Sequence, residues 1–264
     1  MRITILCNDK ALKGFREEHG ISFFIDSRNK KYLFDTGTTD VALENARKLD
    51  IDLNAIDSVI ISHGHYDHLG GLADILKLIG KRKVYIGKGA LNRKFSGEKS
   101  VGPEESYNEY LALGAEFKTI EENTKISDGI VIISATPFVT DERPQRKYKH
   151  INIDRKETDE FDEELTLLII RESKGTVVTG CSHRGITNIL TEVSLHCEIE
   201  NVLGGLHLLH KNGQELNIIC DKLEEFGVSN YFTGHCTGDK AIRIMKERLS
   251  ANVKEIMAGD IISL

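Results

Sequence analysis

The sequence contains no tryptophan, only 3 prolines and only 6% aromatic residues. So few aromatic side chains leave little material for a stacking platform, and a protein that binds single-stranded nucleic acid is not expected. No apolar run approaches the roughly 18 residues that a membrane helix needs, and the first residues lack the basic and apolar regions of a signal peptide. A formal net charge of −6 also disfavours non-specific nucleic-acid binding. We therefore expect a soluble protein with neither nucleic-acid nor membrane partners.

Cysteine is sparse as well, with five residues scattered along the chain. An odd, scattered set is poor material for a disulfide framework and is typical of a protein in the reducing cytoplasm. The chain of 264 residues is 40% hydrophobic and can bury a sizeable core. We expect a single domain over residues 1–264, made either as one large unit or as two similar halves.

The hydrophobic pattern predicts strands that are hairpin-like at first and later alternate with helices. The predicted strands are 2–7, 21–25, 31–34, 58–62, 84–86, 130–135, 165–170, 176–179, 201–204 and 230–233. The predicted helices are 40–49, 72–79, 185–193, 214–226 and 240–249. Residues 87–110 and 137–164 are polar and are interpreted as irregular insertions. Two sheets packed face to face, with amphipathic helices on their outer faces, would bury these elements.

The strongest motif is H-x-H-x-D-H, formed by His63, His65, Asp67 and His68 directly after the apolar strand 58–62. In an extended segment, residues i and i+2 point to the same side, so His63 and His65 can bind one ion together. Asp67 and His68 follow at a turn into a helix, where they can point back and hold a second ion. Imidazole and carboxylate ligands suit zinc, with iron or manganese as alternatives. The motif predicts one or two transition-metal ions.

Asp35 precedes a glycine at a tight turn in the segment Phe-Asp-Thr-Gly. A carboxylate at such a position can accept backbone N–H bonds and orient a metal-binding histidine from behind. The alternative is a plain turn residue.

Several segments together resemble the metallo-β-lactamase superfamily, over nearly the whole chain. The motif SHGHYDHLGG with FDTG upstream is similar to the superfamily signature. The resemblance is nearest to a subgroup of metal-dependent hydrolases that also carry the name 7,8-dihydropterin-6-yl-methyl-4-(β-D-ribofuranosyl)aminobenzene 5′-phosphate synthase. The further segments that support it are EHGISFFI, VVTGCSHRGITNI, LGGLHL and TGHCTG. The resemblance implies an α/β fold, a four-layered αβ/βα sandwich with metals at one edge.

The resemblance also implies ligands in the second half of the chain. Superfamily members complete the site with a further histidine, a bridging aspartate at a strand end and a late histidine. Here the strand that would end in Gly-Asp delivers Cys181 and His183. Either Cys181 replaces the carboxylate with His183 as an extra donor, or His183 is the ligand and Cys181 packs beneath the site. His235 stands in the place of the late histidine.

Three other residues, His207, Cys236 and His19, are also candidates for the site. His207 follows another strand and is predicted to be a ligand or an active-site contact, the alternative being a hydrogen-bonded histidine at a sheet edge. Cys236, beside His235, is expected to lie next to the ligands or to be inert. The resemblance implies that His19 lies near the site, whereas its spacing from the other histidines does not by itself indicate a role.

The predicted chemistry is hydrolysis by a metal-activated water, with Asp67 as both ligand and proton acceptor. His65 stands where flavin-linked di-iron reductases of the superfamily carry a glutamate, which disfavours a redox role. The basic segment 143–149 is either a solvated loop or a lid that offers arginine to a small, anionic, phosphate-bearing substrate. The alternatives are a transferase that joins a dihydropterin to β-ribofuranosylaminobenzene 5′-phosphate, as the subgroup name implies, and a metal-binding sensor without turnover.

Overall fold

The computed structural model describes residues 1–27, 30–152 and 155–264. It divides into two compact units. Unit 1 comprises Met1–Ile120, Arg146–Asp159 and Ile256–Leu264, and unit 2 comprises Glu121–Gln145 and Glu160–Glu255.

The α-helices found in the described residues are short. They are α1 (Val41–Lys48), α2 (Tyr66–Leu69), α3 (Leu72–Ile79), α4 (Tyr107–Ala112), α5 (Ile186–Ser194), α6 (Gly213–Glu225) and α7 (Asp239–Arg248). None of these helices is both long enough and apolar enough to cross a membrane.

The strands form three sheets. In chain order they are β1 (Arg2–Cys7), β2 (Ser22–Ser27), β3 (Lys30–Phe34), β4 (Ser58–Ile60), β5 (Arg82–Gly87), β6 (Lys94–Ser96), β7 (Lys99–Ser100), β8 (Ala115–Ile120), β9 (Thr124–Ser127), β10 (Ile130–Ile133), β11 (Tyr148–Asn152), β12 (Arg155–Thr158), β13 (Thr166–Arg171), β14 (Lys174–Thr179), β15 (Glu198–Gly204), β16 (Asn230–Thr233), β17 (Asn252–Glu255) and β18 (Ile261–Ser263).

Unit 1 is built on a seven-stranded sheet in the order β18-β1-β2-β3-β4-β5-β8. The strands from β3 to β8 are parallel, so their carboxyl ends lie at one edge. Side chains from one face of the sheet pack with the apolar sides of α1 and α3, for example Leu33 with Ala46 and Leu76. This core fixes the end of β4, from which the H-x-H-x-D-H motif begins.

Unit 2 contains the second seven-stranded sheet, in the order β17-β16-β15-β14-β13-β10-β9. β14, β15, β16 and β17 are parallel, and their helical connections α5, α6 and α7 bury an apolar cluster that includes Val177, Leu190, Leu223 and Met245. The carboxyl ends of these strands again share one edge. Ligand sites in such sheets lie beyond that edge.

The two segments interpreted as irregular insertions contain regular structure, so that interpretation was wrong. Strands β6, β7, β11 and β12 form a four-stranded sheet in the order β12-β11-β6-β7 within unit 1, and α4 lies between β7 and β8. These strands are polar and β12 is fully exposed, so they lack the alternation that marks a half-buried strand. Residues 153–154 of the second segment lie outside the described residues.

The predicted helices and buried strands are present with boundaries that shift by at most three residues, such as β15, which begins at Glu198 rather than at 201. Outside the two segments, four strands were not predicted, namely β8, β9, β17 and β18, and the first part of β5 was not predicted either. All are sheet-edge or mixed-polarity segments in which charged residues interrupt the apolar pattern.

Candidate metal centre

The H-x-H-x-D-H motif lies where β4 ends and α2 begins. The chain passes through Ile61 and Ser62, both fully buried, to reach His63. His65 is extended (φ −86°, ψ 147°) and immediately precedes α2, whose first turn contains Asp67 and His68. None of the four motif residues is more than 6% exposed. The change from strand to helix therefore gathers four polar side chains in a buried position.

The side chains of the motif are close enough to bind metal together. The ring centroid of His63 lies 4.7 Å from that of His65 and 4.2 Å from that of His68. The Oδ2 atom of Asp67 lies 3.4 Å from Nε2 of His68. Three imidazoles and one carboxylate are a donor set that suits zinc, iron or manganese. The residues present fit a transition metal.

Asp35 contacts Ser62 and His68 and so orients this cluster. Its carboxylate accepts hydrogen bonds from the backbone N–H and the hydroxyl of Ser62, both at 2.7 Å, and lies 2.7 Å from Nδ1 of His68. Asp35 and His68 are both fully buried. Because Nδ1 of His68 faces a carboxylate, its Nε2 is left as the metal-facing atom, which is the usual arrangement behind a zinc-bound histidine. Asp35 has a left-handed φ of 56°, a strained conformation of the kind that clusters at functional sites.

Burial sets the protonation of the first two histidines. It lowers the pKa of His63 well below its usual value and that of His65 to about 3, in spite of the nearby Asp67. Burial acts in the same direction on His68, but Asp67 and Asp35 outweigh it and raise the pKa of His68 to about 9. His63 and His65 are thus in the neutral form that binds metal. The carboxylates create a negative potential at His68 that also stabilises a metal cation.

A path of polar groups connects Asp67 with the surface of unit 1. Nε2 of His19 lies 3.4 Å from Oδ2 of Asp67, and Nδ1 of His19 lies 3.0 Å from Oδ2 of Asp9. The side chain of His19 is 57% exposed, whereas that of Asp67 is 9% exposed. His19 therefore connects the buried carboxylate with solvent.

Sequence reasoning missed the residues of the four-stranded sheet that surround the motif. Lys94 and Asp159 form an ion pair of 2.7 Å with side chains only 1% exposed, and the ring of Tyr148 lies 5.1 Å from that of His65. Gly64 faces Ala90 O and the Lys94 side chain so closely that a Cβ would collide with both. Lys94 follows Arg93, and Tyr148 stands among the basic residues Arg146, Lys147 and Lys149, so no local pattern distinguishes them.

In unit 2, the predicted ligands follow the carboxyl ends of three neighbouring strands. Cys181 and His183 follow β14, His207 follows β15, and His235 follows β16. The strands are in register, with Thr179 opposite Gly204 and Gly204 opposite Thr233. Left-handed φ values occur at His207 and His235, two of the predicted ligands, and at Ser182, which lies between Cys181 and His183, so the chain is strained at or beside predicted ligands.

His183 is held in place by Phe161 and Glu164, two residues that the sequence did not indicate. The fully buried Phe161 stacks on its ring with a centroid distance of 3.8 Å and an interplanar angle of 6°. Glu164, also buried, accepts hydrogen bonds from the backbone N–H of His183 at 2.6 Å and of Arg184 at 2.9 Å. Burial raises the pKa of Glu164 to about 7, although the two N–H donors favour its charged form. Glu164 and Phe161 lie about 20 positions before His183, so sequence spacing gives no signal for this contact.

His207 lies beside His183, with 4.2 Å between their ring centroids. Nε2 of Gln145 lies 3.4 Å from Nε2 of His207. The backbone N–H of His207 donates to Sγ of Cys236 at 3.3 Å, and Cys236 Sγ lies 3.5 Å from the carbonyl oxygen of Cys181. Burial opposes ionisation of Cys236, but hydrogen bonding with Cys181 and His207 and the nearby His235 hold the pKa of its thiol well below the usual value.

A cavity of about 170 Å³ opens next to His183 and His207 in unit 2. Its lining includes Arg143, Gln145, and Lys211. The guanidinium of Arg143 donates to the carbonyl oxygens of Thr140 and Glu142 and is thereby held at the cavity. The lining also includes Glu142 and Glu215, so two cationic and two anionic side chains stand beside two predicted ligands.

Three further histidines, His150, His196 and His210, stand in charged or helical surroundings in the sequence, which predicts solvated side chains. His196 and His210 are exposed, although His210 also lines the cavity. His150 is half-buried, with Nδ1 3.3 Å from Oδ1 of the buried Asp159, so it was wrongly predicted to be solvated. Asp159 follows β12, the strand that pairs with the β11 strand containing His150.

Comparison with known proteins gives the same family across most of the chain. The model of the metallo-beta-lactamase superfamily matches residues 17–235. A crystal structure described as a metal-dependent hydrolase of the beta-lactamase superfamily is 37% identical, with a TM-score of 0.91. That match covers 100% of this chain and 99% of the other. The predicted α/β class and metallo-β-lactamase fold are confirmed.

Two proteins of Methanocaldococcus jannaschii are also similar. An uncharacterized protein is 34% identical over 244 residues, which cover 91% of this chain and 92% of that protein. The 7,8-dihydropterin-6-methyl-4-(beta-D-ribofuranosyl)-aminobenzene-5′-phosphate synthase is 29% identical over 277 residues, covering 94% of this chain and 90% of the synthase. With the buried donor cluster and the match over residues 17–235, these similarities show that the chain belongs to the metallo-beta-lactamase superfamily.

Proposed function

We propose that this protein is a metal-dependent hydrolase that acts on a small, phosphate-bearing substrate. The observation that carries the proposal is the buried cluster of His63, His65, Asp67 and His68, oriented by Asp35. A sensor would also need ligands, but it would not need a carboxylate connected with solvent through a histidine, as Asp67 is through His19.

One or two bound transition-metal ions, zinc in the first instance, would lower the pKa of water and polarise the bond under attack. His63, His65, Asp67 and His68 bind metal in this proposal. In unit 2, Cys181, His183, His207 and His235 are proposed as metal ligands, on the strength of family membership and of their places at the strand ends. Asp35 and Glu164 do not bind metal and fix the positions of His68 and His183.

Asp67 accepts the proton of the attacking water, and His19 passes it to solvent. The geometry that supports this path is the 3.4 Å separation between Asp67 Oδ2 and His19 Nε2, with Asp9 holding the far nitrogen of the ring at 3.0 Å. A half-exposed imidazole can release the proton to buffer. Asp67 is thereby returned to its charged form.

Replacing His19 with glutamine is expected to lower kcat by about tenfold or more, since assisted proton transfer contributes at least that much. Metal content should stay unchanged, and added imidazole should restore part of the rate. The measurement is kcat against imidazole concentration, with His196→Gln, an exposed histidine elsewhere, as the matched control. A kcat equal to that of the unsubstituted protein at every buffer concentration would exclude the relay.

The position of Arg143 at the unit 2 cavity supports a phosphate-bearing substrate, with Lys211 paired to Glu215 on the same lining. Arg143 and Lys211 line the cavity beside His183 and His207. A planar guanidinium matches the oxygens of phosphate. Among the basic residues of segment 143–149, only Arg143 lines this cavity, and the segment divides between the two units after Gln145.

Inorganic phosphate and pyrophosphate are expected to inhibit competitively. Arg143→Gln should raise both their inhibition constants and KM by about tenfold, the worth of one charge-assisted hydrogen bond, with little change in kcat. Arg243→Gln, an exposed arginine on α7, is the control. Equal inhibition constants in the protein and the Arg143 variant would show that this arginine does not bind the anion.

A transferase reaction is the second candidate, and the similarity to the synthase at 29% identity over 94% of the chain favours it. The deciding experiment is a turnover screen of the metal-loaded protein with phosphodiester, ester, lactone and pterin substrates. Hydrolysis of a phosphate-bearing substrate supports the first proposal, and condensation of a dihydropterin with β-ribofuranosylaminobenzene 5′-phosphate supports the second. Metal binding with no turnover in any assay would indicate a sensor.

A further inference from the structure

Three soft or borderline donor groups meet at the carboxyl edge of the unit 2 sheet. Cys181 follows β14 by two residues, while His207 follows β15 and Cys236 follows β16 by three residues each. Because these three strands are adjacent, parallel and in register, their ends deliver the three side chains to the same place. The edge beyond the carboxyl ends of parallel strands is where such sheets bind ligands.

The donor atoms are close enough to share one ion. The two sulfur atoms and a ring nitrogen of His207 all lie within 4.8 Å of one another. Zinc bonds of about 2.3 Å to sulfur and about 2.0–2.1 Å to nitrogen in a tetrahedral site place neighbouring donors about 3.4–3.8 Å apart. A small rotation of the side chains therefore brings the three donors to bonding distance.

The absence of a side chain at Gly205 leaves room for the sulfur of Cys236. A Cβ at Gly205 would lie 2.5 Å from Cys236 Sγ and 2.5 Å from the carbonyl oxygen of Gly180, so only glycine leaves room there. The backbone N–H of His207 donates to this sulfur at 3.3 Å. An N–H bond to sulfur stabilises the thiolate, which is the form that binds metal.

We propose that Cys181, His207 and Cys236 form a Cys₂His site for a soft divalent metal ion such as zinc, with Cys236 as a ligand. This inference rests on the proposed function in one respect, since it adds a donor to the metal-binding machinery. Two thiolates favour zinc over manganese or magnesium, which prefer oxygen ligands. Three protein ligands leave a fourth position open, as in catalytic zinc sites.

The test is cobalt substitution, because Co²⁺ bound to thiolates absorbs in the near ultraviolet in proportion to the number of sulfur ligands. The cobalt-loaded full chain is expected to show this band. Cys236→Ser and Cys181→Ser should each remove about half of it, and the double variant should remove all of it, since each thiolate contributes separately. Cys197→Ser and Cys220→Ser should leave it unchanged, because these cysteines lie elsewhere in unit 2. Circular dichroism verifies the fold of each variant.

A second measurement needs no variant. X-ray absorption at the zinc edge of the zinc-loaded protein should count two sulfur ligands per chain. One sulfur or none, or a band of full intensity in Cys236→Ser, overturns the proposal. Sulfur ligation does not depend on turnover. If no substrate is turned over while two sulfur ligands are counted, the proposed function is wrong and the Cys₂His site is supported. If a substrate is hydrolysed while Cys236 supplies no sulfur ligand, the proposed function is supported and the Cys₂His site is wrong.

Discussion

Replacing His63 and His65 together with alanine is expected to strip the protein of most of its transition metal and to abolish activity. Losing a residue that only orients a zinc ligand costs about 10–100-fold in metal affinity, and losing two direct ligands should exceed that range. Both rings are buried in the motif, 0% and 5% exposed, and no substituted alanine can donate to metal. The measurement is metal content per chain after gel filtration, by elemental analysis.

Two comparisons keep this result interpretable. His196→Ala removes an exposed histidine that follows the end of α5 and should leave both metal and activity intact. Asp35→Asn keeps every ligand but alters the 2.7 Å contact with His68 Nδ1, so it should weaken metal affinity by about 10–100-fold without removing binding. A folded double-histidine variant that keeps the metal content of the unsubstituted protein would show that the ions bind elsewhere.

The motif was predictable from sequence because its geometry is local. A buried apolar strand must end at a sheet edge, and alternation along an extended segment places His63 and His65 on one side. Asp35 follows the neighbouring strand β3, which pairs with β4 in parallel, so the two strand ends meet. The carboxylate was predicted to lie behind a metal-binding histidine, and it lies 2.7 Å from His68 Nδ1.

Residues that act from a distance in sequence could not be predicted in this way. Phe161 stacks on His183 and Glu164 accepts a hydrogen bond from its backbone N–H, and both belong to a segment that precedes β13. Lys94 pairs with Asp159, 65 positions later in the chain. Each belongs to a polar stretch without helical or strand periodicity, so only the folded chain shows its partner. Cys236 was expected to lie beside the ligands or to be inert, and its distance to Cys181 and His207 depends on the register of three strands.

Asp67→Asn is expected to lower kcat by at least about a hundredfold while the fold survives, because general-base assistance is worth about that much. Asparagine has nearly the same shape as aspartate, so the buried packing around position 67 is kept. Its amide oxygen can still donate a lone pair to metal, but it cannot take a proton from water. Asp74→Asn, which changes an exposed aspartate on α3 that pairs with Lys77, is the matched control and should behave like the unsubstituted protein.

Metal content separates the two roles that Asp67 has in the proposal. If the variant binds the full amount of metal and is inactive, proton transfer is the lost function, and His19, 3.4 Å away, has lost the group that supplies its proton. In that case His19→Gln added to Asp67→Asn should lower kcat no further, since residues that act as one unit are not additive. If metal is lost together with activity, Asp67 acts chiefly as a ligand. Near-normal kcat in a folded, metal-loaded Asp67→Asn protein would exclude both the carboxylate as base and the path through His19.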